Sequence, residues 1–418
     1  MPREIPASFA ALRHRNFRLL WSGMICSTAG SMMQNAAILW HVTQLVPVEK
    51  RPLALGAVGM VKIVPIFVFS LAGGVVADAL DRKKLMLAMQ SLMAIFAAIL
   101  AVLSFTGKEA LWSIYLLTAL NSAANTFDGP ARQSMIPALV PPKDFANAIS
   151  LNTIHFQVAS VVGPWLSGIV IASLGMGWVY ALNAVSFLAV IVNLLRMRNV
   201  PPRQGAGVEV SLRSAVEGLR FVFRTPMIRS TMLLDFFATL FSTASGLLPI
   251  FAQDILHVGP RGYGFLVSAQ AVGALLASAF LVHAADRIDH RGRTLLWAVT
   301  AYGLATVVFG LSRSFELTFA CLALVGAADM VSTVLRNIIR QLATPDRLRG
   351  RMTSVNMMFF MGGPQLGEIE AGLVANSFGA PFSVVTGGIG CLVATAWIAA
   401  KTPALRRYRR EDPVLEAA

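Results

Sequence analysis

The feature that most constrains this chain is an internal repeat, in which residues of the first half recur 208 positions further on. Five positions hold the same residue in both copies: Asp78 and Asp286, Asp81 and Asp289, Arg132 and Arg340, Gln133 and Gln341, and Pro137 and Pro345. Since the chain has 418 residues, the offset is almost half of its length. Such self-similarity predicts two related structural halves.

Both halves are strongly apolar. Hydrophobic residues make up 56% of the chain, the mean hydropathy is +0.65, and charged residues make up 13%, whereas a soluble domain has about 25%. A transmembrane helix needs about 20 mostly apolar residues. Twelve such runs can be read, if two that polar residues interrupt are included: 17–45, 53–77, 85–106, 111–136, 147–173, 176–195, 228–253, 262–284, 295–312, 316–341, 353–376 and 381–400. The sequence therefore predicts an all-α membrane protein with twelve transmembrane helices in two pseudo-symmetric six-helix bundles.

The predicted organisation has five segments. A cytoplasmic N-terminal segment (1–16) precedes a six-helix bundle (17–197), a cytoplasmic linker (198–227), a second six-helix bundle (228–400) and a cytoplasmic tail (401–418). The second part of the linker, 212–223, has apolar residues at helical spacing and predicts a helix on the membrane surface. The tail contains Arg406, Arg407, Arg409 and Arg410 and is expected to be disordered. We expect a monomer.

The distribution of charge predicts the orientation. The formal net charge is +14, but most Lys and Arg residues fall on the side of the termini. In the loops of the other side only Lys50, Arg51, Lys108, Arg261 and Arg313 are found. The positive-inside rule then places both termini in the cytoplasm. The basic excess is a topology signal in an inner-membrane protein, with the lipid bilayer as partner, and it argues against a nucleic-acid partner.

The loop after the second span contains Gly74, Asp78, Arg82 and Lys83 at the spacing of Gly-x-x-x-Asp-Arg-x-Gly-Arg-Lys. It resembles the signature loop of the major facilitator superfamily, with Ala79 in place of the usual Arg and Asp81 in place of the usual Gly. Longer stretches resemble the bacterial branch that contains the enterobactin exporter and macrolide efflux proteins: Asp128-Gly-Pro-Ala-Arg132-Gln133, Asn147-Ala148 with Leu151-Asn152, and Asp346-Arg-Leu-Arg-Gly350-Arg351.

The resemblance implies a cytoplasmic gate. Asp78 is expected to pair with Arg132, next to Arg82 of the same loop, and Asp286 with Arg340 would be the equivalent in the second half. An Asp at a helix end can accept charge-assisted hydrogen bonds from Arg and from the free N–H groups of a neighbouring helix start. The alternative is that these residues only fix topology and helix ends.

The fifth span contains Gly163-Pro164-x-x-Ser167-Gly168, which resembles the superfamily motif associated with export. Small residues let helix backbones approach closely, and Pro164 is expected to kink the span. The alternative is ordinary tight packing, because Gly and Pro are common in membrane helices. On this evidence export is favoured over import.

Four of the carboxylates inside predicted spans are candidates for a functional role: Asp235, Asp329, Glu368 and Glu370. A charge in mid-bilayer costs at least ~2.5 kcal/mol, so such residues indicate function or pairing. A carboxylate in an apolar cavity can exchange a proton near neutral pH, which makes these four the candidates for proton coupling, with Glu368 first. The alternative is a static ion pair. The first span has no carboxylate, so coupling would run through the second half or be absent.

A set of amides and one histidine are candidates for the lining of a substrate cavity: Gln34, Asn35, Asn125, Asn152, His155 and Gln157. The alternative is that they form contacts between helices, each worth about 0.6 kcal/mol. No Walker-type phosphate loop, HExxH motif or paired cysteine ligands occur in the sequence, so no enzyme activity, cofactor or metal site is expected.

These observations predict a secondary active transporter that exports a small organic molecule, such as a siderophore, drug or amphiphile, by alternating access and proton antiport. Two alternatives stay open. One is a lysophospholipid transporter, which belongs to the same superfamily and would need an apolar lateral opening with a basic rim. The other is a membrane sensor or scaffold that transports nothing.

Overall fold

The computed structural model describes residues 7–198, 212–242, 244–284, 287–345, 348–410 and 412, and in these ranges every regular element is helical. The long helices of the first half are α1 (Arg15–Gln44), α2 (Arg51–Ala79), α3 (Arg82–Phe105), α4 (Leu111–Leu139), α5 (Phe145–Leu174) and α6 (Met176–Arg196). A short helix, α7 (Leu212–Arg224), confirms the predicted linker helix. The second half contains α8 (Pro226–Ser242), α9 (Leu248–Ile250), α10 (Gly259–Ala284), α11 (Arg291–Leu311), α12 (Phe315–Leu342), α13 (Arg349–Phe378), α14 (Ala380–Lys401) and α15 (Pro403–Arg407).

Within the described ranges, nine helical segments are long and apolar enough to cross a membrane. The long helices α1, α4 and α13 do not meet that criterion. Their interiors carry polar residues, among them Gln34, Asp128, Glu368 and Glu370. The all-helical class is therefore confirmed, whereas the count of twelve spans stays a prediction.

The predicted seventh span is not one continuous helix. After α8 the chain continues through a 3-10 turn (Ala244–Leu247), the single turn α9 and a π-helical turn (Phe251–Ile255). Gly246 and Pro249 explain the break, because glycine weakens a helix and proline has no N–H group to donate. The predicted span over 228–253 lies within one candidate membrane span, Pro226–Ile255, but hydropathy alone did not predict the changes of helix type along it.

The contacts within the chain divide it into two units, and the predicted domain boundaries stay predictions. The first unit comprises residues 1–45 and 61–209, and the second comprises 46–60 and 210–418. In the first unit α1 packs against α5 and α6, and α3 packs against α4 and α6. The interior contains Met24, Met86, Met135 and Val190.

In the second unit α10 packs against α12, α11 packs against α12 and α14, and α8 packs against α13 and α14. Leu295, Leu335 and Cys391 lie in its buried core. The crossing of α10 and α12 depends on glycine: a Cβ added at Gly273 would lie 1.7 Å from the carbonyl oxygen of Ala323. No larger residue can occupy this position without moving a backbone apart.

Candidate functional site

The loop between α2 and α3 is built around two charged residues. Asp81 caps the start of α3, because its carboxylate accepts hydrogen bonds from the backbone N–H groups of Lys83 (2.9 Å) and Lys84 (3.1 Å). Arg82 donates to the carbonyl oxygen of Ser134 near the end of α4, at 2.7 Å. A cation at that end also complements the helix dipole. Among the predicted gate residues, Arg82 therefore contacts the C-terminal part of α4.

The two predicted gate pairs stay predictions. The side chain of Asp78 and the whole of Asp286 lie outside the described residues. Arg132 lines a small cavity together with Asn152 and His155. Arg340 is buried and donates hydrogen bonds to Asn356 of α13 and, at 2.7 Å, to Asn337 of its own helix. The partners of Arg340 that the structure describes are therefore amides.

The Gly163-Pro164-x-x-Ser167-Gly168 stretch lies on the buried face of α5. A Cβ added at Gly163 would lie 2.6 Å from the Cβ of Met32 and 2.7 Å from the carbonyl oxygen of Ala29. The motif therefore brings α5 against α1 at a spacing that only glycine permits. This geometry agrees with tight packing, and a role in export stays a prediction.

Two of the four predicted coupling residues share one buried arginine. The guanidinium of Arg336 in α12 lies 2.8 Å from Asp235 in α8 and 3.6 Å from Asp329 in its own helix. Arg336 and Asp235 are 2% and 4% exposed, whereas Asp329 is 49% exposed. The trio carries one net negative charge when both acids are ionised, and Asp235 belongs to a buried ion pair.

Glu368 differs from these acids in its surroundings. Its Oε2 atom is buried and has no hydrogen-bond partner among the described residues. The side chain approaches Gly59 in the first half of α2, where an added Cβ would lie 2.8 Å from the Cβ of Glu368. It also approaches Gly246 in the broken segment after α8, where an added Cβ would lie 3.2 Å from its Cγ. The side chain of Glu368 in α13 therefore lies close to α2 and to the broken segment after α8, all within the second unit.

The close approach of α2 and α13 continues on both sides of Glu368. The Cα of Gly372 lies 3.1 Å from a Cβ added at Gly56. At the start of α2, Arg51 forms an ion pair of 2.6 Å with Asp254. Glu370 is partly buried, and no ion pair of this residue occurs in the described part of the chain.

The predicted substrate-cavity residues do not form one group. Gln34 is buried and accepts a hydrogen bond from Asn183 of α6 at 2.8 Å, so it is a contact between helices. Asn35 and Asn125 are exposed, and Gln157 is partly exposed. His155 is buried, and neither ring nitrogen has a partner within the described ranges.

Sequence reasoning missed Arg336 and a polar chain in the first unit. There, Gln90 of α3 donates to Asp128 of α4 at 3.0 Å and lies 3.4 Å from Ser27 of α1. The repeat offset contains the signal that could have found both. It aligns Ser27 with Asp235 and Asp128 with Arg336. The aligned positions pair directly in the second half, whereas Gln90 bridges them in the first.

A second polar contact of the first unit also went unpredicted. The ring of His41 at the end of α1 lies 2.9 Å from the hydroxyl of Tyr180 and 3.6 Å from the carboxylate of Glu109. No cluster of three potential metal ligands occurs in the described part of the chain.

An apolar cavity of the first unit lies between α3 and α4 and has a volume of about 500 Å³. Its walls are apolar, with Met89, Phe96 and Phe127 among them. Asp81 and Lys84 lie at the end where α3 begins. The cavity therefore combines a long apolar wall with a charged mouth.

Comparisons with known proteins point to one family. A family model described as transmembrane secretion effector matches residues 6–413. The chain is 28% identical over 354 residues to the enterobactin exporter EntS of Shigella boydii, which is 84% of each chain, and equally similar to EntS of Escherichia coli. These relatives are transporters, and nothing in the comparisons points to catalysis.

Solved structures show the same fold. A bacterial homologue of the human lysosomal transporter Spinster, inward-facing and unoccupied, superimposes with a TM-score of 0.75 at 16% identity, over 94% of this chain and 98% of that one. A bacterial homologue of the iron transporter ferroportin, inward-facing, gives 0.70 at 17% identity, over 92% and 98%. The chain shares the architecture of these major facilitator transporters.

Proposed function

Because the chain belongs to the transmembrane secretion effector family of the major facilitator superfamily, we propose that it exports a small organic molecule across the inner membrane. The proposed cargo is a siderophore, a drug or an amphiphile. The enterobactin exporters, to which it is 28% identical, support the first of these classes. The positive-inside rule supports cytoplasmic termini.

The proposed drive is proton antiport, with Glu368 as the residue that binds the proton. The observation that carries this proposal is the buried Oε2 of Glu368, which has no partner among the described residues. A buried carboxylate oxygen without a hydrogen-bond partner is costly when the group is charged, so protonation of Glu368 can be linked to a conformational change. The broken segment beside it supports the role, because transporters build coupling sites where spanning helices are discontinuous.

The proposed cycle is alternating access between two states. Asp78 with Arg132 and Asp286 with Arg340 would close the cytoplasmic side in one state, as the signature loops of the superfamily imply. The approach of α2 to α13 at Gly56 and Gly372 would have to loosen in the other. Both steps break contacts at helix ends or between small residues, which costs less than opening an apolar core.

The test uses the purified chain in proteoliposomes with an imposed pH gradient. Candidate cargoes, enterobactin first, are loaded and their movement is followed with time. Glu368→Gln should abolish gradient-driven movement and leave cargo binding intact, because the amide keeps the shape and cannot release a proton. Glu370→Gln, two residues away, is the matched control and should keep both.

Gradient-driven transport by Glu368→Gln at the rate of the unchanged protein would reject the coupling role. If only Asp329→Asn loses gradient-driven transport, the coupling role belongs to Asp329 and not to Glu368. If no candidate moves in the unchanged protein while binding persists, the scaffold alternative replaces the transporter.

A second candidate cargo is a lysophospholipid or a similar single-chain amphiphile. The 500 Å³ cavity between α3 and α4 favours it, because its apolar wall suits an acyl chain and Lys84 at its mouth suits a phosphate. A polar substitution in the wall, Met89→Gln, should weaken binding of a labelled lysophospholipid and spare binding of enterobactin. Equal effects on both ligands would exclude a separate amphiphile site.

A further inference from the structure

The segment that follows the last long helix is attached to the start of α11. The backbone N–H of Gly292 donates to the carbonyl oxygen of Tyr408 at 3.1 Å, and that of Arg410 donates to the carbonyl oxygen of Asp289 at 2.8 Å. Leu405 is 0% exposed and Tyr408 is 5% exposed. The expected disorder of the tail is therefore wrong for residues 403–410, because two apolar anchors and two backbone hydrogen bonds hold them.

Glycine is required where this segment crosses α11. A Cβ added at Gly292 would lie 1.7 Å from the carbonyl oxygen of Leu405. Burial raises the pKa of the Tyr408 hydroxyl, so this anchor remains neutral. The segment after α14 is thus packed directly against the start of α11, at a distance that only glycine at position 292 permits.

The anchors leave the arginines of the segment facing outward. Leu405 and Tyr408 point into the unit, whereas Arg406, Arg407 and Arg409 are exposed. Together with two basic residues from the start of α11, they line a cavity of about 520 Å³: His290, Arg293, Arg406, Arg407 and Arg409. All five residues that line this cavity are basic.

No described carboxylate forms an ion pair with these arginines. Among the described acids, Asp412 accepts a hydrogen bond from the backbone N–H of Arg409 at 2.6 Å. Arg291, which follows His290 in the chain, is buried, and its Nε has no partner among the described residues. Guanidinium groups are planar donors that match phosphate oxygens, so the cavity is suited to a phosphate-bearing anion.

The position of the cavity indicates where that anion comes from. Arg291 is the first residue of α11 and Lys401 is the last residue of α14, and both helices are candidate membrane spans. The arginines therefore lie where two spans leave the apolar layer, which is the level of the lipid headgroups. Basic pockets at this level bind anionic headgroups.

We propose that the cavity formed by His290, Arg293, Arg406, Arg407 and Arg409 binds the phosphate headgroup of an anionic phospholipid. The site takes diphosphatidylglycerol in preference to lipids with one phosphate, because four guanidinium groups surround a space larger than one phosphate needs. It is independent of the transported molecule and of the proton-coupling residue.

The test measures lipid retention by the full chain in a neutral detergent, by native mass spectrometry with defined lipids. The unchanged protein should retain diphosphatidylglycerol and not phosphatidylcholine. Arg406→Gln with Arg407→Gln should weaken this binding by on the order of tenfold, since each basic residue near an anionic surface contributes measurably. Both side chains are exposed, so folding should be preserved, which a thermal melt in phosphatidylcholine checks.

The matched control is Arg196→Gln with Arg198→Gln, which removes the same charge from exposed positions at the end of α6. Arg198 is the equivalent of Arg406 in the repeat. The control should bind as the unchanged protein does. If both variants weaken lipid binding equally, the binding depends only on overall positive charge, and the site is rejected. Displacement of the lipid by millimolar inorganic phosphate would assign the cavity to a free anion and reject the lipid.

Discussion

The buried pair of Asp235 and Arg336 gives the sharpest prediction about stability. Their side chains are 4% and 2% exposed and lie 2.8 Å apart, so removal of one partner leaves the other charged in an apolar interior. Such a change costs about 3–5 kcal/mol of unfolding free energy. Because Asp329 remains 3.6 Å from the guanidinium, we expect Asp235→Asn to fall near the lower end of that range.

The assay is a double-mutant cycle of Asp235→Asn and Arg336→Gln, with unfolding followed in mixed micelles at increasing denaturing detergent. The double variant should lose less unfolding free energy than the sum of the two single losses, because neither charge of the pair is left without its partner. The control cycle uses Arg51→Gln and Asp254→Asn. That pair is closer, at 2.6 Å, but its side chains are 15% and 32% exposed, so its coupling should be at most about 1 kcal/mol.

Two results would refute the reasoning. One is a loss of less than about 1 kcal/mol in Asp235→Asn, which is the range of an exposed pair. The other is a coupling energy no larger than that of Arg51 and Asp254. Either would mean that water or lipid headgroups reach the pair and that burial does not determine its strength.

Two further predictions concern close packing and helix capping. Gly163→Ala should destabilise the first unit by about 1–3 kcal/mol, because the added Cβ meets Met32 and Ala29 of α1; a thermal melt measures this, and Gly129→Ala, which meets nothing within 4 Å, should cause no loss. Asp81→Ala should cost about 1 kcal/mol by removing the cap of α3, whereas Asp81→Asn should keep the cap. Equal losses in the two Asp81 variants would show that charge, not capping, matters there.

Long-range repetition and hydropathy were enough to predict the helical class, and the resemblance of the loop after the second span and of three longer stretches predicted the family. The offset of 208 residues and the signature-like loop are properties of spacing along the chain, and the family match over residues 6–413 confirms the resemblance. The helix over Leu212–Arg224 was also predictable, because its apolar residues recur at the helical period. These features depend on local pattern and length alone.

The internal partners of the polar residues were not predictable from hydropathy. Gln34 was a candidate for substrate contact, yet it binds Asn183, which is 149 positions away. Arg336 was not predicted to have an internal partner, since an arginine near the end of a span is usually a topology signal. Its role depends on the side-by-side placement of α8 and α12, which hydropathy does not determine.

The repeat itself connects these observations. Its offset aligns Ser27 with Asp235 and Asp128 with Arg336, so each unit has a polar contact between its first and fourth helices. In the first unit the amide of Gln90 completes this contact, whereas in the second unit an ion pair forms it directly. Duplication therefore preserved the place of the contact and not its charge. Both Arg336 and Glu368, whose Oε2 has no partner among the described residues, belong to the second unit. This asymmetry supports our proposal that proton coupling resides there.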